Sequence, residues 1–175
     1  VQKNFGTNYL NSLIVAAMSV VLSMPLAAMT GYAFARFRTG GRFARFATLA
    51  SQMLPPVALA LPVFMLYRLA GLTNSLTGLT LAYAAINLPF LTWILMGFFE
   101  SIPEELEGAA MTDGATRWGA FWRIVLPVAS PGIMAAAVLG FILSWNEFLF
   151  ALILGGSKTA TVPVALAALQ TSNGV

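Results

Sequence analysis

Four long apolar stretches divide this chain of 175 residues. They lie at residues 10–34, 46–66, 76–99 and 131–154. Each is long enough to cross about 30 Å of hydrocarbon, which takes about 20 residues in a helix. Only 9% of the residues are charged, whereas soluble domains carry about a quarter. We therefore expect residues 1–175 to form one all-α domain, a polytopic transmembrane helical bundle surrounded by membrane lipid.

The residue types that most enzymes use for catalysis are missing from this composition. There is no cysteine and no histidine, which excludes disulfides, thiol nucleophiles, histidine bases and the usual zinc ligands. The apolar stretches also contain no paired carboxylates. The net charge of +3 comes from basic residues scattered among loops, which do not make a nucleic-acid surface. We expect neither catalytic nor metal-binding residues, and no nucleic-acid partner.

The basic residues instead indicate an orientation in the membrane. Six of the nine lie in residues 36–45 and in residues 100–127, and the other three lie in the alternate connections. Because cytoplasmic loops carry an excess of Lys and Arg, both of these larger loops are predicted to be cytoplasmic. The six are Arg36, Arg38, Arg42, Arg45, Arg117 and Arg123; the three are Lys3, Arg68 and Lys158.

The second apolar stretch contains Pro55, Pro56 and Pro62. Proline removes a backbone donor and clashes with the preceding turn, so this helix is predicted to be bent or broken. Broken helices in transporters lie near the substrate pathway. A simple packing kink is the alternative, and the sequence leaves both open.

The polar loop at residues 100–127 carries five of the six acidic residues. Ser101 followed by Glu104 predicts a capping box that begins a short helix near residue 103, and Gly114 is placed to end it. Thr116 can cap a second short helix. Two helices along the membrane surface would form either a docking element for another protein or an ordinary amphipathic connector. In a docking element, Ala109 and Ala110 would permit close approach, while Glu107 and Asp113 would pair with basic side chains.

The same loop resembles the cytoplasmic motif of permease subunits of ATP-binding-cassette importers. That motif reads Glu-Ala-Ala, three residues, Gly, nine residues, Ile, any residue, Leu, Pro. At the motif's glutamate position this chain has Gly108, directly after Glu107. About 100° of helix rotation separates neighbouring positions, so we expect shape to matter more than a fixed salt bridge. The matching residues are Ala109, Ala110, Gly114, Ile124, Leu126 and Pro127.

Residues 8–12, 31–36 and 144–148 are similar to carbohydrate-uptake permeases of the maltose type. This resemblance implies a type I importer permease core (MetI-like) in a bacterial or archaeal plasma (inner) membrane. It also implies a sister permease, two ATP-binding subunits, an extracytoplasmic sugar-binding protein and a sugar substrate. Full subunits of that family usually have six spans, so the chain is expected to be a fragment that lacks the first and last. ATP and Mg would be bound by the partner subunits, with no cofactor in this chain.

Four residues in the apolar stretches are candidates for a substrate pathway. Glu147 is the only acid deep in a predicted span, where an ionisable group usually faces protein or a wet cavity. Trp145 and Asn146 beside it offer an aromatic face and an amide to hydroxyl-rich rings. Asn87 could line the cavity, but we favour the interpretation that it satisfies a carbonyl freed by Pro89. For Glu147 a structural contact remains the alternative.

The sequence thus predicts the permease subunit of an ATP-driven sugar importer, coupled to its ATPase subunits through residues 100–127. Two alternatives remain open. One is a permease of the same superfamily for another small solute. The other is an ion-coupled secondary transporter, for which Glu147 would have to carry the ion coupling and the polar loop would have no role.

Overall fold

The computed structural model describes residues 5–37 and 39–172, so the predicted loop residues Lys3 and Arg38 lie outside the described residues. The described part of the chain contains α-helices and one π-helical turn, Phe121–Val125, and no strands. The α-helices are α1 (Phe5–Phe37), α2 (Gly41–Gln52), α3 (Pro56–Leu69), α4 (Leu76–Ser101), α5 (Glu104–Thr112), α6 (Arg117–Ala120), α7 (Leu126–Trp145), α8 (Leu149–Leu154) and α9 (Val162–Ser172).

Three helices in these ranges are long and apolar enough to cross a membrane: Phe5–Phe37, Leu76–Ser101 and Arg117–Trp145. The expected all-α bundle of apolar helices is confirmed. A fourth crossing is obtained if α2 and α3 are counted as one broken span. The number of spans in a membrane therefore stays a prediction.

The apolar stretch at residues 46–66 contains a broken helix, which confirms the break that its prolines predicted. The axes of α2 and α3 differ by 92° across residues 53–55. Pro55 has an extended backbone (φ −62°, ψ 125°), and Pro56 occupies the first turn of α3. Because the ring of Pro56 disfavours the helical conformation at the residue before it, the two prolines together stop α2 and start α3.

The fourth apolar stretch differs from the prediction at both ends. Pro131 lies inside α7 and does not begin it, because the helix already runs continuously from Arg117 through the π-helical turn. In that wider turn the Leu126 N–H donates to the Phe121 carbonyl, just before Pro127. At the other end α7 stops at Trp145, and the helix is interrupted at residues 146–148 before α8 begins.

Close packing of α1, α4 and α7 forms the bundle. A β-carbon at Gly31 would lie 3.0 Å from the Met96 nitrogen and the Thr92 oxygen, so α1 and α4 approach backbone to backbone there. A β-carbon at Gly132 would lie 2.4 Å from the Phe98 ring. Small residues at helix contacts permit this approach in membranes.

Two apolar clusters lie at opposite ends of the bundle. One is built around Leu91, Leu95, Phe99, Phe121 and Val125, and the other around Val15, Leu79, Tyr83, Phe150 and Leu154. Because Phe99 and Phe121 flank residues 100–120, the first cluster forms the base on which the polar loop rests.

Candidate functional site: a surface loop and a membrane cavity

The end of α5 forms as the sequence predicts, but its start does not. Ser101 does not cap it, because α4 continues through Ser101 and this hydroxyl donates to the Phe98 carbonyl at 2.7 Å. The predicted capping box is therefore wrong. The C-terminal prediction is confirmed: Gly114 has φ +89°, its N–H donates to Met111, and the Ala115 N–H donates to Ala110. This is a Schellman motif, which needs a left-handed residue at the Gly114 position.

The second short helix of the loop, α6, begins as predicted. The Thr116 hydroxyl accepts the Gly119 N–H at 3.0 Å. The following turn is aromatic: the Trp118 ring stacks on Phe121 with centroids 5.5 Å apart and meets Trp122 edge-on at 5.8 Å. Phe121 is buried, but Trp118 and Trp122 are each more than half exposed (55% and 54%). The loop therefore presents two indole rings at its surface.

Glu107 points into the protein. The whole residue is only 8% exposed, and its carboxylate accepts from the Arg36 Nε at 2.5 Å and from the Tyr32 hydroxyl at 2.6 Å. Arg36 also donates to the Ile102 carbonyl at 2.8 Å. We call Tyr32, Arg36 and Glu107 the anchor cluster. With both carboxylate oxygens bound inside this chain, Glu107 has a local partner for its charge.

We call Leu106 and Ala109, with Asp113 directly after the helix, the outer face of α5; the three are exposed and spaced three and four residues apart. Glu104, Glu105, Met111 and Thr112 of the helix are exposed as well. Gly108 and Ala110 are half-buried beside it. A β-carbon at Gly108 would meet no atom within 4 Å, so the space a larger side chain would fill at the motif's glutamate position is open. The outer face thus combines small and apolar side chains with one carboxylate.

The remaining motif residues lie where the loop returns to the bundle. Ile124 and Leu126 are half-buried on either side of the buried Val125, and Pro127 is exposed in the first turn of α7. The three motif residues join the π-helical turn to the long helix α7, so they fix how the loop is attached.

Glu147 and Asn87 are brought together at a membrane cavity. Both line a cavity of about 130 Å³ with Gln52, Tyr83 and Ser144. Glu147 and Gln52 also line a neighbouring cavity of about 350 Å³ beside the break between α2 and α3. The two cavities share Gln52, Ile86 and Glu147, so a carboxylate and an amide border both, and we call the two together the groove.

Glu147 lies in the break after α7 and not within a continuous helix as predicted. One carboxylate oxygen accepts the Phe150 N–H at 2.9 Å, which caps α8. The Tyr83 hydroxyl donates to the Glu147 backbone carbonyl at 3.2 Å. Glu147 therefore makes a structural contact and also lines the cavity. The pathway role and the structural role that the sequence left open are compatible with each other.

Asn87 is buried in a polar network between three helices. Its Nδ2 donates to the Ser144 hydroxyl at 2.7 Å and to the Gly140 carbonyl at 3.4 Å, and Ser144 lies 2.9 Å from the Ser19 hydroxyl. The interpretation that Asn87 satisfies a carbonyl freed by Pro89 is wrong, because both of its bonds go to α7. Its amide cross-links α4 to α7 at the edge of the cavity.

Trp145 and Asn146 do not share this cavity. The Trp145 ring meets Tyr9 edge-on at 5.5 Å and stacks on Phe141 at 5.8 Å. Asn146 is exposed, and its Nδ2 donates to the Ile142 carbonyl of the preceding turn at 2.8 Å. A pathway role for these two residues stays a prediction that no contact with the cavity supports.

Four residues of the two sites were not predicted, because they are distant in sequence from the polar loop and from Glu147: Tyr32, Arg36, Gln52 and Tyr83. Tyr32 and Arg36 are four residues apart, which is the spacing of one helical face, so their joint contact with an acid could have been sought. Gln52 precedes the double proline, and a polar residue at a helix break was a usable signal. Tyr83 offered no signal apart from being polar within an apolar stretch.

Comparison with known families decides what kind of chain this is. Residues 20–174 match the family of the binding-protein-dependent transport system inner membrane component. The chain belongs to this family. The long apolar helices agree with an inner-membrane component that crosses the bilayer several times, and the family consists of transport permeases and not of enzymes.

Several curated members of the family are similar to the chain over most of its length. It is 39% identical to the diacetylchitobiose uptake system permease protein DasC of Streptomyces coelicolor, over 96% of this chain and 62% of that protein. It is 40% identical to the trehalose transport system permease protein SugB of Mycobacterium tuberculosis, over 93% and 60% respectively. It is 34% identical to the trehalose/maltose transport system permease protein MalG of Thermococcus litoralis, over 94% and 60%.

A solved structure shares the fold of this family member. It belongs to a bacterial ABC transporter involved in the import of the acidic polysaccharide alginate. The TM-score is 0.78 at 27% identity, with 97% of this chain and 59% of that chain covered. The expected importer permease fold is confirmed. The chain spans about 60% of the length of the curated relatives named above.

Proposed function

We propose that this chain is the permease subunit of an ATP-driven importer for a small carbohydrate, and that α5 is its docking element for an ATPase. The observation that carries the proposal is the geometry of the loop. The buried Glu107 holds α5 on the bundle, while Leu106, Ala109 and Asp113 remain exposed on the outside. A connector would need no such uncovered, firmly anchored face.

The docking partner is proposed to be one of two ATP-binding subunits, each contacting one permease. ATP and Mg are bound by those subunits. The short side chains of Ala109 and Gly108 suit close approach by a partner, and the exposed Trp118 and Trp122 suit the membrane–water interface beside it.

The substrate is proposed to be a sugar that passes beside the break between α2 and α3. Relatives named for diacetylchitobiose, trehalose and maltose transport support this class. The groove supports it chemically, because Glu147 and Gln52 can bind hydroxyl groups while Tyr67 and Phe150 line the same space with rings. Orientation-fixing polar groups in a mainly apolar pocket are typical of small-molecule sites.

The remaining partners follow from the same proposal. A sister permease completes the pathway, and an extracytoplasmic sugar-binding protein delivers the substrate. Residues 36–45 and 100–127 face the cytoplasm of a bacterium or archaeon. In support, Arg36, Arg42, Arg45, Arg117 and Arg123 all belong to the end of the bundle at which α5 lies, as the excess of basic residues in cytoplasmic loops requires.

Uptake by the full transporter in proteoliposomes tests the proposal. The permease is purified with its co-purifying subunits, reconstituted, and supplied with labelled diacetylchitobiose, trehalose or maltose and a sugar-loaded binding protein. We expect uptake that needs internal Mg-ATP and stops with vanadate. If the transporter imports none of these sugars but imports another solute with ATP, the substrate belongs to a different class from the one proposed. Uptake abolished by ionophores and indifferent to ATP would establish the ion-coupled alternative.

A further inference from the structure

The acid of the polar loop that has the least contact with water is Glu107, and its partners are on a different helix. Tyr32 and Arg36 lie one turn apart near the C-terminal end of α1, and each donates to a different oxygen of the Glu107 carboxylate. The ion pair is buried on both sides, with side-chain exposures of 7% for Arg36 and 11% for Glu107. Charge-assisted hydrogen bonds are stronger than hydrogen bonds between neutral groups. Removing one partner would leave the other charge buried and unpaired, which is strongly destabilising.

The surroundings of this pair are rigid. The Tyr32 ring packs against Phe99 at 5.8 Å and Phe121 at 4.5 Å between centroids. Arg36 donates to the Ile102 carbonyl in the connection between α4 and α5. The anchor cluster therefore joins the end of α1 to both sides of the loop, the entry from α4 and the exit through the π-helical turn.

Nothing else in the described structure connects α5 to α1 by charged bonds. The other ion pair in those residues, Arg45 with Glu100 at 3.0 Å, joins α2 to α4 and is more exposed. Glu104 begins α5 and is exposed, with no ion pair within the described ranges. Within the described residues, Glu107 is therefore the charged link by which a movement of α5 would reach α1.

We propose that Tyr32 and Arg36 are positioning residues for the coupling of ATPase movement to transport: through Glu107 they make α5 and α1 move as one body. This inference rests on the proposed function, because it concerns the same loop. In this proposal Glu107 binds only groups inside the permease, and the outer face of α5 binds the ATPase. The ATPase then pulls on α1, which packs along the full length of α4 and carries Ser19 of the network at the cavity.

The test measures sugar imported per ATP hydrolysed in the reconstituted full transporter, with whichever of the three labelled sugars the wild type imports. The variants are Glu107→Gln, Arg36→Gln, Tyr32→Phe and the Arg36→Gln/Glu107→Gln double variant. The matched control is Glu104→Gln, on the same helix but exposed. Co-purification of the ATPase and the thermal stability of each complex are recorded beside the ratio.

We expect Glu107→Gln to keep the ATPase bound while the ratio falls roughly fivefold or more, the lower range of a typical coupling free energy. The double variant should be no worse than Arg36→Gln alone, since the two residues act as one unit. Glu104→Gln should match the wild type. An unchanged ratio in Glu107→Gln, or strictly multiplicative losses in the double variant, would overturn the proposal.

A second measurement remains informative for variants of low stability and does not depend on the sugar. These 175 residues contain no cysteine, so once any cysteine elsewhere in the complex is replaced by serine, spin labels at Thr30→Cys on α1 and Met111→Cys on α5 report one distance. We expect the distance to be the same without nucleotide and after trapping with Mg-ATP and vanadate, and to become state-dependent when Glu107→Gln is added. A state-dependent distance in the wild type would refute the single body. A wild type that binds the ATPase and hydrolyses ATP but imports none of the three sugars would refute the proposed substrate class, while this distance test would still decide whether α5 and α1 move as one body.

Discussion

The side-chain amide of Asn87 donates to the hydroxyl of Ser144 at 2.7 Å and thereby joins α4 to α7 beside the membrane cavity. Ser144 in turn lies 2.9 Å from the hydroxyl of Ser19 on α1. Three helices that pack mainly through apolar and small side chains thus share one chain of polar contacts. Because these groups are buried, each would be costly to leave without a partner.

Replacing Asn87 by leucine tests whether this network is mainly structural. Interhelical hydrogen bonds in membranes contribute about 0.6 kcal/mol on average and about 1.7 kcal/mol at most. We expect Asn87→Leu to lower the free energy of unfolding in detergent by an amount in that range, with a small effect on the apparent sugar affinity. Loss of affinity without loss of stability would make Asn87 a substrate contact instead.

Replacing Glu147 by glutamine tests the cavity. The glutamine oxygen can still accept the Phe150 N–H that caps α8, so the variant removes the charge and keeps the cap. We expect the apparent KM for sugar uptake to rise roughly tenfold, as for the loss of about 1.4 kcal/mol of binding. Thr77→Val, on the exposed start of α4, is the control. An unchanged KM in Glu147→Gln would mean that Glu147 has only a structural role.

Two glycines in the spans should respond in opposite ways to alanine. A β-carbon at Gly132 would lie within 2.4–2.8 Å of three Phe98 ring atoms, whereas one at Gly97 would meet nothing within 4 Å. Overpacking typically costs about 1–3 kcal/mol. Gly132→Ala should lower the melting temperature of the detergent-solubilised complex, and Gly97→Ala should leave it unchanged or raise it. Equal effects would mean that α4 and α7 do not approach each other as the structure has them.

A second pair of glycines tests the local structure of the polar loop. Gly108 is inside α5 with open space around it, so alanine there should stabilise the helix by about 1 kcal/mol. Gly114 has φ +89°, and alanine there should cost about 1–2 kcal/mol. Amide hydrogen exchange of residues 104–116 should therefore slow in Gly108→Ala and quicken in Gly114→Ala. The reverse order would contradict the Schellman ending of α5.

The sequence was a good guide wherever one local rule decides the backbone. Apolar length predicted helices at α1 and α4, Gly114 predicted the end of α5, and Thr116 predicted the start of α6. It was a poor guide where two rules compete. Ser101 could cap a new helix or extend an old one, and α4 continued because its buried face reaches Phe99. Pro131 looked like a first-turn proline, yet the preceding turns are already helical.

The partners of the site residues could not be predicted for a different reason. Glu107 meets Arg36 across 71 residues of sequence, and Asn87 meets Ser144 across 57. Such contacts depend on how α1, α4 and α7 rotate about their axes, which follows from the close approach at Gly31 and Gly132 and not from any local pattern. The resemblance of the loop directed attention to its residues, but it did not predict that Glu107 faces inward.

The most direct test of the central claim is site-directed cross-linking at the outer face of α5. Because the chain has no cysteine of its own, Ala109→Cys provides a single thiol there, and Ser157→Cys provides one in the connection between α8 and α9 as the control. Membranes holding the full transporter are treated with a benzophenone maleimide, which alkylates the introduced thiol and on irradiation inserts into a C–H bond of a neighbouring protein, so the ATPase needs no cysteine. We predict a product that joins the permease to the ATPase for Ala109→Cys and none for Ser157→Cys. No ATPase product from Ala109→Cys, or an equal yield from both positions, would contradict docking at α5.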